Sequence, residues 1–352
     1  MNQLKFNVLG LMSGTSLDGL DLCFCTFRFH QEKWQFDLLF SETRSYCAEW
    51  KTNLAEAHLL KAEELRQLDA AYGEFLAECI CDFIEKNKLD QIDFIGSHGH
   101  TILHQPANKI TLQIGNGPEI FIKTGIPLIC DFRIQDVLLG GQGAPLVPIG
   151  DELLFENYAA CLNLGGFANI SMKQNKERIA FDICAVNIVL NELCKTLGYA
   201  YDDGGDFARS GKLIPALFNS LNNIAFFREL PPKSLGREWV ETNILTKTTP
   251  ELDQIDVLHT FTEHAALQIA SILKPITGDV LVTGGGAFNR YLIERINQIS
   301  KHKLILPSDD IINFKEAIVF AFLAVLRFTN QINCLSSVTG ARINHSSGRI
   351  YK

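Results

Sequence analysis

Apolar and polar positions alternate in short blocks that predict strands, separated by stretches of three-to-four-residue period that predict helices. The first block, Phe6, Val8 and Leu9, runs through Gly10-Leu11-Met12-Ser13 into Gly14-Thr15-Ser16-Leu17-Asp18-Gly19, then into the alternating Leu20-Asp21-Leu22-Cys23-Phe24. This reads as strand, tight loop, strand. Phe36, Leu38 and Phe40 alternate in a third strand, so residues 4–46 carry three. Leu65, Leu68, Tyr72, Phe75, Leu76, Cys79 and Phe83 recur at helical spacing and predict one long helix over 62–87. A short strand at Ile92–Ile95 stops at Gly96-Ser97-His98-Gly99-His100, and another at Ile126–Cys130 stops at Asp131-Phe132-Arg133.

The second half repeats the plan. Cys161-Leu162-Asn163 leads through Leu164-Gly165-Gly166-Phe167 into Ala168-Asn169-Ile170-Ser171, and a third strand, Ile179-Ala180-Phe181, ends at Asp182. Helices follow over 188–197 and 258–273, then a strand at Val280–Val282 that stops at Thr283-Gly284-Gly285-Gly286. Helical spacing returns over 289–298 and, after Pro307-Ser308-Asp309, over 314–328, with Glu316 opening this last helix. Strands followed by helices, with polar or glycine-rich residues at the strand ends, predict an α/β fold whose ligands sit at those carboxyl ends. Two halves that each open with three strands and a glycine turn suggest a duplicated domain.

With 352 residues, 47% hydrophobic and 20% charged, the chain is long enough for two well-cored domains. Its net charge of −8 argues against a nucleic-acid partner, which selects a basic face. The ten cysteines are scattered, without a Cys-x-x-Cys pair, and read as reduced thiols of a cytoplasmic protein. The N-terminus shows no leader, and the longest apolar run, Ala317–Leu326, is too short to span a membrane.

The loop after the first strand offers backbone N–H groups that suit a phosphate, with Asp18 and Asp21 beside it to hold a metal ion directly or through water. It also reads as an ordinary hairpin turn. The Gly284–Gly286 turn would let a flat ligand or phosphate approach the backbone, or simply makes a tight strand-to-helix connection. Neither it nor Gly140-Gly141-Gln142-Gly143 has dinucleotide-fingerprint spacing, and there is no Walker A lysine. His98, His100 and His104 could share a strand face and a metal, but no further ligand clearly completes the set. Asp182 suits a general base or a helix N-cap. Arg133 suits an anion clamp or an ion pair with Asp131 or Asp136. Asp202-Asp203-Gly204-Gly205-Asp206 reads as a solvated loop, and Pro231-Pro232-Lys233-Ser234-Leu235-Gly236 as a rigid loop that reaches a substrate or stays structural.

Taken in order, these segments resemble the 1,6-anhydro-N-acetylmuramic acid kinases of bacterial cell-wall recycling. The resemblance rests on Gly10 to Gly19, Gly96-Ser97-His98-Gly99, Gln113-Ile114-Gly115-Asn116-Gly117 and Asp131-Phe132-Arg133. It continues through Gly140-Gly141-Gln142-Gly143-Ala144-Pro145, Asn163 to Ile170, Pro232-Lys233-Ser234, Gly284 to Asn289 and Thr339-Gly340-Ala341. It implies the actin-like ATPase (ribonuclease H-like) fold, two related α/β domains flanking a nucleotide cleft, with residues 1–132 and 133–352 as the N- and C-terminal domains. It implies ATP and Mg2+ as cofactors. Phosphates would lie at Gly14, Thr15, Ser16, Leu17, Asp18, Gly19, Leu20 and Asp21, the metal at Asp18, and nucleotide also at Gly284, Gly285 and Gly286. His98, Arg133, Asn169, Asn187 and Glu316 would surround an amino sugar, and Asp182 would be the catalytic base. A homodimer is also implied.

The family pattern after the base is Asp-Thr-Gly-Pro-Gly-Asn; here it reads Asp182-Ile183-Cys184-Ala185-Val186-Asn187. The family has glutamine where His100 stands. Such changes limit backbone freedom and add side-chain bulk near the substrate, so they bear on sugar preference. The implied reaction is ATP-dependent ring-opening phosphorylation. A plain amino-sugar kinase and a non-catalytic sugar or nucleotide sensor are the alternatives on the same fold.

Overall fold

The computed structural model describes residues 4–249 and 251–352. Two compact units emerge, one built from the chain up to Leu154 together with Phe314–Lys352, the other from Phe155–Asn313. This differs from a division after residue 132. The carboxyl-terminal segment returns to the first unit because its helix packs there.

The first unit holds β1 (Leu4–Ser13), β2 (Gly19–His30), β3 (Lys33–Ser45), β4 (Phe94–Gln105), β5 (Ile110–Ile114), β6 (Leu128–Cys130) and, from the chain end, β12 (Arg349–Tyr351). The sheet order is β12-β6-β4-β1-β2-β3, with β5 paired to β4. β1, β2 and β3 are antiparallel neighbours, while β4 runs parallel to β1 and β6 parallel to β4. The second unit holds β7 (Ala160–Leu164), β8 (Phe167–Gln174), β9 (Glu177–Ala185), β10 (Val280–Thr283) and β11 (Leu304–Ile305), ordered β11-β10-β7-β8-β9. Again three antiparallel strands are extended by two parallel ones on the far side of the first. This common order is the ribonuclease H-like topology, present twice.

The helix Ala62–Asn87 forms where periodicity predicts it, and its stripe of Tyr72, Leu76, Ile80 and Phe83 is buried with Leu9, Leu20, Leu22 and Ile95. On the opposite face of the sheet, Gly10 and Gly96 sit side by side on β1 and β4. A Cβ on Gly10 would come within 2.4 Å of the Ala317 carbonyl oxygen, and one on Gly96 within 2.7 Å of that of Phe320. Glycine is therefore what lets the helix Asp309–Phe328 lie flat on these strands through Ala317, Ala321 and Ala324. The second unit buries Val257, Phe261, Ala265 and Ile269 of the helix Gln254–Leu273 with Val189, Leu190 and Leu193 of the helix Asn187–Thr196.

Several expectations need correction. β4 does not stop at Ile95 but continues through Ser97, His98 and His100, all buried. β9 runs past Asp182 to Ala185, so Asp182 lies inside a strand. The last helix starts at Asp309, placing Glu316 two turns in, away from the dipole's positive end. Asp202 is buried rather than solvated: its carboxylate accepts from the N–H groups of Phe207 (2.8 Å) and Ala208 (2.9 Å) and caps the helix Asp206–Ser210. No helix among the described residues is long and apolar enough to cross a membrane.

Candidate active site

In the first unit, the loop between β1 and β2 turns through Leu17 at φ 59°, with the Leu17 N–H donating to the Gly14 carbonyl at 3.3 Å. Thr15, Ser16 and Asp18 are exposed. A Cβ on Gly14 would meet nothing closer than Ser16 Oγ at 3.5 Å, so this position is open, whereas Gly19 is forced by the Arg44 carbonyl at 2.6 Å. The loop stands on a buried polar chain. Tyr72 and Tyr46 hydroxyls meet at 2.6 Å, Tyr46 donates to Ser13 Oγ at 2.7 Å, and Ser13 Oγ meets His100 Nδ1 at 2.8 Å. Burial pulls the His100 imidazole down to about 4, so it is neutral at physiological pH.

Asp21 accepts from the Thr43 hydroxyl at 2.6 Å. Burial, with the like charges of Glu316 and Asp18, raises its carboxyl to about 6 against that hydrogen bond. Glu316 is exposed to solvent, yet the protein crowded around it holds its carboxyl above the ordinary range, opposed by Arg133 and Lys315. Oxygen donors carrying uncompensated negative charge are the set that Mg2+ takes. Asp18 and Asp21 thus fit the metal that the sequence implies.

Arg133 makes no direct hydrogen bond to Asp131 or Asp136. Its Nε donates to His98 Nε2 at 2.9 Å and its Nη1 to the Gly143 carbonyl at 2.7 Å. His98 Nδ1 lies 2.9 Å from the Gly99 carbonyl. A carbonyl only accepts, so the proton is on Nδ1 and Nε2 presents a lone pair to the arginine. Burial, with Arg133 beside it, holds His98 well below the usual imidazole range and therefore neutral. Phe320 lies tilted against His98, ring centres 4.6 Å apart, and underlies the guanidinium at 5.8 Å. Arg133 is lowered to about 10 by burial and remains a cation. His104 bonds Thr111 at 3.1 Å, so the three histidines have separate partners and do not form a metal site.

In the second unit, register sets a polar row across the sheet. Thr283 of β10 pairs with Asn163 of β7, Asn163 with Asn169 of β8, and Asn169 with Asp182 of β9. Cross-strand partners share a face. Asn163 and Thr283 were not among the residues singled out from sequence; their signal was a polar side chain ending each apolar strand. Asp182 is not a helix cap, since the following helix begins at Asn187 after Val186. Its Oδ2 accepts the Leu235 N–H at 2.8 Å, and its own N–H donates to the Lys233 carbonyl at 3.1 Å. The Pro-Pro-Lys-Ser loop is therefore docked on this carboxylate. Lys233 is occupied elsewhere, donating to the Phe226 carbonyl at 3.0 Å with Nζ 4.4 Å over that ring. Burial raises the Asp182 carboxyl, partly offset by the Leu235 N–H.

The residues that depart from the family pattern, Ile183 to Val186, are all buried in the core of this unit. Their added bulk is absorbed by packing. The glycine turn divides into two kinds of position. Gly284, at φ 81°, would clash with Asn163 Oδ1 at 2.5 Å, and Gly286 with Leu164 Cβ at 2.8 Å, so both are demanded by packing against the end of β7. Gly285 meets only Asn187 Nδ2, at 3.8 Å, and is open. Asn187 donates to the Leu164 carbonyl at 3.3 Å and thus sits by the glycine turn. A cavity of about 390 Å³ opens next to this turn, lined by Ala287, Arg290, Ile293 and Leu306 among others.

The family model of anhydro-N-acetylmuramic acid kinase matches residues 6–352. The enzyme of that name from Actinobacillus pleuropneumoniae serotype 7 is 36% identical over 367 residues, covering 97% of this chain and 98% of that protein. The one from Coxiella burnetii (strain Dugway 5J108-111) is 33% identical over 369 residues, covering 99% and 98%. Among solved structures, the activator of the 2-hydroxyisocaproyl-CoA dehydratase from Clostridium difficile with bound ADPNP overlays with a TM-score of 0.45. It is 13% identical, with 91% of this chain and 94% of that chain covered. The duplicated topology is that of the actin-like ATPases, and the family match makes the chain a carbohydrate kinase of that class. It belongs to the anhydro-N-acetylmuramic acid kinase family.

Proposed function

We propose that this enzyme converts 1,6-anhydro-N-acetylmuramic acid, ATP and water into N-acetylmuramic acid 6-phosphate and ADP, in cytoplasmic peptidoglycan recycling, with Asp182 as the base. The observation that carries this reading is the placement of Asp182: half-buried, in a row of amide and hydroxyl side chains, and held by a single backbone N–H. An oxygen left without a strong partner can take a proton from a water at the anomeric carbon. A carboxyl raised toward neutrality is a better base once ionised.

The step balances as in inverting glycoside hydrolysis. Water gives its proton to Asp182 and its oxygen to C1. The C1–O6 bond breaks, O6 takes the γ-phosphoryl group, and the proton on Asp182 leaves to solvent. Mg2+, when bound, neutralises charge on the transferring phosphates. Asp18 and Asp21 would hold it, and the open backbone at Gly14 and Gly285 would admit phosphate oxygens. The Arg133 fork, oriented by His98, suits the lactyl carboxylate of the sugar. Asn169 and Asn163 supply donors and acceptors for its hydroxyl and acetamido groups.

The mass of the product made from 1,6-anhydro-N-acetylmuramic acid, ATP and Mg2+ tests the proposal. Gain of one phosphate and one water is expected. Gain of phosphate alone would replace it with an ordinary kinase acting on a free hydroxyl. No product with ATP bound would leave the sensor reading.

A further inference from the structure

Away from the residues used above, the first unit buries three metal-ligating side chains together. Asp136, Cys334 and His345 are 0%, 2% and 6% exposed, and one donor atom of each lies within 4.8 Å of the others. It is the one such group among the described residues. His345 Nδ1 lies 3.1 Å from the Ile343 carbonyl, which can only accept, so Nδ1 carries the proton. Nε2 is the ring nitrogen left to face the other two side chains. It is buried, makes no hydrogen bond, and faces Asp136 Oδ1 at 3.7 Å. A buried ring nitrogen left without a hydrogen bond beside a carboxylate is a costly arrangement. A cation between them removes the cost.

We propose that Asp136, Cys334 and His345 form a buried site for a borderline divalent cation, zinc by the donor set. Thiolate, imidazole and carboxylate together are zinc ligands, whereas Mg2+ and Ca2+ select oxygen alone. The donors are already oriented. Thr339 Oγ1 donates to Asp136 Oδ1 and the Gly143 N–H to Oδ2, each at 2.7 Å, and each oxygen keeps a second lone pair. Cys334 and His345 are locked side by side by a two-way backbone bridge, N–H to carbonyl at 3.1 and 3.2 Å. Such outer contacts fix ligand direction. Tetrahedral bonds of about 2.0–2.3 Å set donor atoms roughly 3.5 Å apart, so a shift of about 1 Å closes the set, with water in the fourth position.

The charge balances. The Cys334 S–H bond breaks, its proton leaves to solvent, and thiolate and carboxylate together cancel the two positive charges of the metal. Burial and the Asp136 charge hold the Cys334 thiol above its usual range, opposed by Arg133, so its proton leaves only as the metal binds. The metal would pin the carboxyl-terminal segment to the helix Ile134–Leu138 and to the Gly143 loop, which hold Arg133.

The test uses the full chain, reduced, stripped with a chelator, and titrated with Co2+ in the absence of oxygen. One cobalt per chain, a cobalt–thiolate charge-transfer band, and release of about one proton per metal are expected. The band should vanish in Cys334→Ser and weaken in His345→Gln, and Zn2+ should displace the cobalt and raise the melting temperature of the wild type only. No band in the wild type would overturn the proposal. So would an equal band in Cys334→Ser, because another of the ten cysteines would then be the ligand. If Cys334→Ser does not fold, His345→Gln carries the same comparison, and an undiminished cobalt signal there would be equally fatal.

Discussion

The Leu235 N–H donates to Asp182 Oδ2 at 2.8 Å, tying a loop 53 residues away to the carboxylate read as the base. Burial raises that carboxyl and this hydrogen bond lowers it. The base works only when ionised, so kcat/KM should fall as pH drops through its folded-state pKa, above the ordinary aspartate value of 3.8. Leu235→Pro removes the donor. A charge-assisted bond of roughly 1.5–3 kcal/mol corresponds to about one to two pH units, so the acid limb should move up by about that much with the plateau kept. Asp182→Asn should lower kcat by roughly 10²–10⁴-fold with ATP affinity retained. A pH profile of Leu235→Pro identical to wild type would remove this bond from the account.

Asp21 carries a cost written into the fold. Its carboxyl rises from 3.8 to about 6, so the native state prefers it protonated. That contribution is fully present below the unfolded value and is lost as pH rises through about 6. At pH 7 the difference amounts to about 2–3 kcal/mol at one pKa unit per 1.36 kcal/mol. Asp21→Asn, which keeps an acceptor for Thr43, should therefore melt higher than wild type near pH 7 and about equally near pH 4. An equal gain at both pH values would contradict the electrostatic origin.

The glycine turn offers a paired test. Gly284→Ala meets Asn163 Oδ1 at 2.5 Å in a left-handed backbone, so it should destabilise the second unit by about 1–3 kcal/mol. Gly285→Ala meets nothing closer than 3.8 Å and should leave the melting temperature unchanged, while lowering ATP affinity about tenfold if phosphate approaches the backbone there. Calorimetric melting with an ATP titration separates the two. Unchanged ATP binding in Gly285→Ala would take that position out of the nucleotide site.

The helix Ala62–Asn87 and the three opening strands were legible because each carries its own hydrophobic period. The far half of β4 is not legible, because Ser97, His98 and His100 look like loop residues without their partners: Arg133 is 35 residues from His98, and Ser13 is 87 from His100. Asp202 looks like a solvated residue for the same reason, since its hold on Phe207 and Ala208 depends on where the next helix starts. The short strands β5 and β12 carry too few residues to show a period, and exist through pairing with β4 and β6.

By itself the sequence determined the α/β alternation, the duplication and the family, because strand and helix periods and ordered motifs are local properties of the chain. Tertiary structure alone decided that the chain end returns to the first unit, that Asn163 and Thr283 join Asn169 and Asp182 in one row, and that Asp136 meets Thr339 across 203 residues. These depend on strand register and on a glycine-and-alanine contact between a sheet and a distant helix. No local pattern encodes such long-range pairings; they are set by which surfaces bury each other within each unit.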